Sequence, residues 1–303
     1  MSLVSFVVKF FCTTTDTKDT AANDVDIENR LSLLLARMYI ARMHIDQHPP
    51  GSFCWIELAT TDQNAAKSFY GSLFGWSAND FPMGPSDVYS MFQLEGRDAA
   101  AAYTLRPEQR SQGVPPHWMI YVAVASADGA AKRAAELGAK MLAPPFDVYD
   151  VGRMAVLQDP TGAVFSIWEP KKSKGAGITG ADGTLCWADL STPDPARASR
   201  FYSSLFGWKM MAGEKDPSDY LHIVNGEEFI GGIPPATHRN PKIPPHWLAY
   251  FLVSDCDQTA AKVKRLGGTI HVAPMTMEDV GRWAVVADPQ GAVFAIFQQV
   301  PRA

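Results

Sequence analysis

The chain contains the same sequence twice, and this constrains its fold more than any other feature. "FCWIELATTDQNAAKSFYGSLFGW" (53–76) aligns without gaps with "LCWADLSTPDPARASRFYSSLFGW" (185–208), identical at 13 of 24 positions. "VGRMAVLQDPTGAVFSIW" (151–168) aligns with "VGRWAVVADPQGAVFAIF" (280–297), identical at 12 of 18. A repeat this long cannot be one turn of a solenoid; each copy is large enough for its own core. Two homologous domains are expected, at 51–170 and 183–300. A linker rich in Gly and Lys covers 171–182, and an N-terminal extension covers 1–50.

Each copy divides again. The first unit opens with a strand (Cys54–Thr60), then Asp62 as an N-cap, then a helix closed by Gly75. The second opens with a strand (Trp118–Ala125) and an Ala-rich helix over 127–138. Short alternating segments follow each helix, such as "VYSMFQLEG". Strand, helix and three strands, four times over, predict an α+β protein with curved antiparallel sheets and helices outside.

Charge excludes some functions. With 27 Lys and Arg against 32 Asp and Glu, the net charge is −5, and no dense basic block occurs. Nucleic-acid binding is not expected. No apolar run is long enough for a membrane span. "SLVSFVVKFFC" (2–12) is short and lacks a basic leader, so it makes a poor signal peptide. Over 27–46, apolar residues recur at helical spacing, which predicts an amphipathic helix. That helix reads either as a docking element or as a plain extension. Cys54 and Cys186 occupy equivalent strand positions and read as buried thiols, which fits a reducing cytoplasm.

"PPHW" occurs at 115–118 and again at 244–247. His117 and His246 stand at strand mouths, as metal ligands or general bases would. The blander reading is a pair of rim histidines held by their own loops. The remaining histidines have no repeat partner and no ligand spacing. No G-x-S-x-G, P-loop or G-x-G-x-x-G fingerprint is present.

The order of a first strand, "D…FY…LFGW", a second helix and "DPxG" before a last strand resembles the vicinal oxygen chelate superfamily. That group includes glyoxalase I, bleomycin-resistance proteins and extradiol dioxygenases. The resemblance covers nearly all of 51–300. It implies paired βαβββ modules that form a U-shaped, mostly antiparallel eight-stranded sheet around a cavity. It also implies a divalent ion held by residues of the first, middle and last strands. Carried over by position, the first ligand falls on Trp55 and Trp187, and the last on Ser166 and Ala295. The middle ligand falls near Met119 and Leu248. Indole, thioether, hydroxyl and alkyl groups do not replace imidazole and carboxylate on such an ion. No metal and no cofactor are therefore expected.

Strand parity then says what lines each cavity. Trp55, Glu57, Met119, Tyr121, Ser166 and Trp168 share one face in the first domain. Trp187, Asp189, Leu248, Tyr250, Ala295 and Phe297 share the equivalent face in the second. Each pocket is aromatic with one carboxylate, which suits a flat organic ligand. Glu57 and Asp189 read either as general bases or counter-ions, or as structural acids satisfied by Arg153 and Arg282 or by backbone donors. The expected protein is cytoplasmic, binds a small aromatic or hydrophobic molecule, and can form a homodimer. The alternatives are a metal-independent lyase, isomerase or hydroxylase using Glu57 or Asp189, and a regulatory scaffold.

Overall fold

Asp62 starts the first long helix: its carboxylate accepts from the Ala65 amide at 2.9 Å, which satisfies a donor that helix geometry leaves free. Gly75 ends that helix at φ 75°, a left-handed cap. Asp194 and Gly207 do the same in the second copy. The computed structural model describes residues 43–84, 87–212, 219–278 and 280–299.

In chain order, the first domain holds β1 (Met43–His44), β2 (Phe53–Thr60), α1 (Gln63–Phe74), β3 (Ser77–Pro82), β4 (Val88–Leu94) and β5 (Arg97–Thr104). It continues with α2 (Pro107–Ser111), β6 (His117–Ala123), α3 (Ala127–Glu136), β7 (Lys140–Val148), β8 (Gly152–Gln158) and β9 (Val164–Pro170). After β10 (Ile178–Thr179) comes the second copy: β11 (Leu185–Ser191), α4 (Pro195–Phe206), β12 (Lys209–Ala212), β13 (Leu221–Asn225) and β14 (Glu228–Ile233). It ends with β15 (His246–Leu252), α5 (Cys256–Arg265), β16 (Thr269–Met277), β17 (Gly281–Ala287) and β18 (Val293–Gln299).

Each domain forms one eight-stranded sheet. The orders are β3-β4-β5-β2-β6-β9-β8-β7 and β12-β13-β14-β11-β15-β18-β17-β16. The two modules of a domain join through antiparallel central pairs, β2 with β6 and β11 with β15. Only the pairs flanking these are parallel, such as β2 with β5 and β6 with β9. The fold is α+β, with two tandem domains of paired modules.

The helices cover one face of each sheet. Ala66, Phe69, Tyr70, Leu73 and Phe74 form the buried stripe of α1, at helical spacing. They join a single core of both domains that includes Trp118, Phe165, Tyr202, Phe251 and Phe294. The motifs repeated most faithfully meet there. Trp118 Nε1 donates to the Tyr70 hydroxyl at 3.1 Å, and Tyr70 donates to Asp288 of the second "DPxG" at 3.1 Å. In the mirrored arrangement Trp247 donates to Tyr202 at 3.0 Å, and Tyr202 donates to Asp159 at 2.9 Å. Buried hydroxyls and carboxylates need such partners. Trp208 adds a further bond between the domains, from Nε1 to the Gly51 carbonyl at 2.8 Å.

The segment following β9 is fastened to the first domain. Ala176 N–H donates to the Cys54 carbonyl and Gly177 N–H to the Asp98 carbonyl, each at 2.8 Å. β10 pairs with β1. The helix expected over 27–46 lies outside the described residues except at its end. There Met43–His44 form a strand, because the 178–179 backbone offers them a ladder. Among the described residues no helix is long and apolar enough to cross a membrane.

Candidate functional site

The face of each sheet turned from the helices carries the chemistry. In the first domain β2 brings Trp55 opposite Tyr121 and Glu57 opposite Met119. β9 sets Ser166 opposite Tyr121, and β8 sets Met154 opposite Trp168. Trp55, Tyr121 and Trp168 form a second apolar cluster, separate from the main core, with Tyr89, Met91, Met119 and Met154 packed against it. In the second domain Trp187 pairs with Tyr250 and Asp189 with Leu248. Ala295 pairs with Tyr250, and Phe297 with Trp283.

Glu57 is held by phenols. Tyr89 donates to one of its oxygens at 2.8 Å and Tyr121 to the other at 3.0 Å. Trp55 Nε1 donates to the Tyr89 hydroxyl at 3.3 Å. Asp189 has the same framework. Tyr220 and Tyr250 donate to its two oxygens at 2.7 and 2.8 Å, and Trp187 Nε1 donates to the first of them at 3.0 Å. Burial pushes both carboxyls above the usual carboxylate range, against the pull of these donors. The phenols are held well above their ordinary value, first by burial and then by the neighbouring charge.

Arg153 and Arg282 are not the partners of these acids. Arg153 pairs with Asp128 at 2.7 Å, and Arg282 pairs with Asp257 at 2.5 Å, each with the acid of an adjacent helix. The arginines alternate with the inward residues of β8 and β17, so they point to the helix side. Tyr89 and Tyr220 are the partners sequence reasoning missed. The useful signal was a Tyr at the start of the third strand in each copy.

One residue pair explains how a Glu and an Asp fill equivalent places. Glu57 stands opposite Ala101, and Asp189 stands opposite Gly232. A Cβ on Gly232 would lie 1.7 Å from the Tyr220 hydroxyl. The missing methyl lets Tyr220 come down to the shorter acid, whereas Glu57 has an extra methylene and needs no such space.

His117 and His246 stand at the strand ends, in register with Ala59 and Ser191. Each ring Nδ1 lies close to the carbonyl two residues back, 2.9 Å from Pro115 and 2.8 Å from Pro244. A carbonyl only accepts, so Nδ1 carries the proton in both. Burial lowers the His117 pKa.

The positions that the resemblance assigns to the ion ligands carry an indole, a thioether and a hydroxyl in the first domain. In the second they carry an indole and two alkyl groups. This donor set does not fit a divalent ion. Among the described residues no group of three or more His, Cys, Asp or Glu gathers to hold one. Ser166 is fully buried and its Oγ has no hydrogen-bond partner among the described residues. Its counterpart, Ala295, has no polar atom to satisfy.

Comparison with known proteins agrees with this architecture. The model of the Glyoxalase/Bleomycin resistance protein/Dioxygenase superfamily matches residues 52–167 and again 184–296. A Mycobacterium tuberculosis protein provisionally named glyoxylase CFP32 is 38% identical over 264 residues, covering 84% of this chain and 98% of that protein. The anthracycline biosynthesis protein DnrV of Streptomyces peucetius is 32% identical over 267 residues, covering 82% and 94%. The Mn(II)-bound glyoxalase from Novosphingobium aromaticivorans superposes with a TM-score of 0.60 at 16% identity, covering 83% of each chain. With its paired βαβββ modules and two family matches in tandem, the chain belongs to the Glyoxalase/Bleomycin resistance protein/Dioxygenase superfamily.

Proposed function

We propose that this protein binds a small aromatic or hydrophobic molecule on the inner faces of its sheets, without the divalent ion used by metal-dependent relatives. One observation carries the reading: a carboxylate bonded by two tyrosines, beside a tryptophan indole, is built twice on those faces. Aromatic walls with a few fixed polar groups suit a flat ligand, because they offer area for stacking and little else. The relative named for anthracycline biosynthesis supports this choice, since anthracyclines are planar fused-ring compounds. The free thiols of Cys54, which is buried, and of its counterpart Cys186, which is half-buried, fit a reducing, cytoplasmic setting.

A second reading is proton-transfer catalysis, as a lyase or isomerase, with Glu57 or Asp189 as base. It is favoured by the raised pKa of both acids, since a base nearer neutrality transfers protons more effectively. Native mass spectrometry of protein taken directly from cells tests both readings. A bound organic mass without metal is expected; a stoichiometric transition metal in each domain would overturn the proposal. Glu57→Gln and Asp189→Asn separate the two readings. Binding retained with turnover lost means catalysis, and weakened binding alone means sequestration.

A further inference from the structure

The two inner faces have the same framework but differ in accessibility. In the first domain Trp55 is 9% exposed, Tyr121 4% and Trp168 9%. The segment after β9 lies across them. Trp168 Nε1 donates to the Ser173 carbonyl at 3.1 Å, and Val148, Val151 and Ala176 pack against the aromatic cluster. Gly175 rests on the β2 backbone, where a Cβ would come 2.3 Å from the Cys54 carbonyl. This segment covers the aromatic positions of the face, while Tyr89, Met119 and Met154 keep partial exposure.

In the second domain Trp187, Tyr250 and Phe297, the counterparts of Trp55, Tyr121 and Trp168, are all half-buried, while Leu248 and Trp283 are half-buried as their counterparts Met119 and Met154 are. Large aromatic groups that keep partial exposure on an inner face line a space rather than fill it. His222 adds an imidazole edge-on to Tyr220 and Trp187, with ring centroids 4.9 and 6.3 Å apart. At the base sits Asp189, 9% exposed. Its bonds to described residues all come from neutral donors: two phenols and an indole. It makes no ion pair with any described residue, whereas Glu57 feels the positive charge of Arg106. A buried carboxylate without a counter-ion is costly, and a cation entering the aromatic walls would lower that cost.

We propose that the inner face of the second domain is the ligand site and takes a planar organic cation, held by Asp189 and by the rings of Trp187, Tyr250 and Phe297. In the first domain's copy the segment after β9 covers the equivalent aromatic positions. This rests on the small-molecule reading above and adds the choice of domain and the charge of the ligand.

Isothermal titration calorimetry of the full chain at neutral pH with N-methylquinolinium, and with quinoline as its neutral isostere, tests it. The cation is expected to bind at a single site per chain, about tenfold or more tighter than quinoline. Asp189→Asn and Trp187→Phe, each checked for folding by circular dichroism, are each expected to weaken cation binding about tenfold. Asp128→Asn, at an exposed ion pair on the helix side of the first domain, is expected to leave binding of the cation unchanged. Equal affinity for the two probes would overturn the charge assignment while leaving the small-molecule reading intact. Loss of binding in Glu57→Gln, with Asp189→Asn unaffected, would overturn the choice of domain. If neither probe binds, the small-molecule reading fails with it.

Discussion

Tyr70 of the first domain donates its phenol to Asp288 of the second, and Tyr202 returns the bond to Asp159. These acids also organise their own turns. Asp159 Oδ1 accepts from the amides of Thr161, Gly162 and Ala163, and Asp288 Oδ1 accepts from those of Gln290 and Ala292. Each "DPxG" therefore folds a tight turn and also holds the neighbouring domain.

Tyr70→Phe should remove that hold while keeping the ring. It leaves Trp118 Nε1 and one Asp288 oxygen buried without their partner, a cost of about 1–3 kcal/mol. Tyr202→Phe should cost about the same. Urea unfolding of both variants measures this, and unchanged midpoints would show that the bonds contribute nothing net.

Gly232→Ala should push Tyr220 away from Asp189, because the new methyl occupies the place of the hydroxyl. The expected loss is about 1–2 kcal/mol. In a Tyr220→Ala background the same substitution should cost little, since the clash is gone. Equal costs in both backgrounds, read from a double-mutant cycle, would refute the steric account.

Stability should depend on pH through Asp189. Burial raises its folded pKa, so the native state holds this proton to higher pH than the unfolded chain does. Stability from this group is therefore greatest at acid pH and falls as pH rises from the ordinary Asp value through the raised one. Asp189→Asn should remove that dependence. Relative to the variant, the wild type should lose ground as pH rises. Melting temperatures across a pH series test this, and parallel curves would contradict it.

Gly175→Ala should loosen the segment over the first domain. Gly175 sits at φ 101° against a backbone carbonyl that cannot rotate aside, so a cost of about 1–3 kcal/mol is expected. Hydrogen exchange at the amides of Ala176 and Gly177 should accelerate. Unchanged protection there would mean that the segment is held by other contacts.

The repeat, the caps at Asp62 and Gly75 and the four-module plan were legible in the sequence because they depend on local chemistry. Parity along β2 and β11 placed each tryptophan and its acid on one face, since that rule needs only a regular strand. The acids' partners were not legible. Tyr89 and Tyr220 reach them from strands more than thirty residues away in sequence, at a distance set by Ala101 in one domain and Gly232 in the other. For "PPHW" the rim reading of the histidine is the one the geometry fits. The histidine attracts attention because of its chemistry, but its ring turns back to its own loop. The adjacent tryptophan makes the long-range bond, to a tyrosine 48 residues away in the first domain.

The Tyr70–Asp288 and Tyr202–Asp159 bonds are the same contact, made reciprocally by the two repeats. A chain with a single repeat would carry both halves of that bond on one surface, as an isologous homodimer does. In such an ancestor every substitution enters both subunits at once, and neither pocket can change alone. Joining the copies in one gene ends that obligation. Ser166 with its counterpart Ala295, and Trp168 with its counterpart Phe297, are differences that a fused pair can hold and a dimer of identical chains cannot.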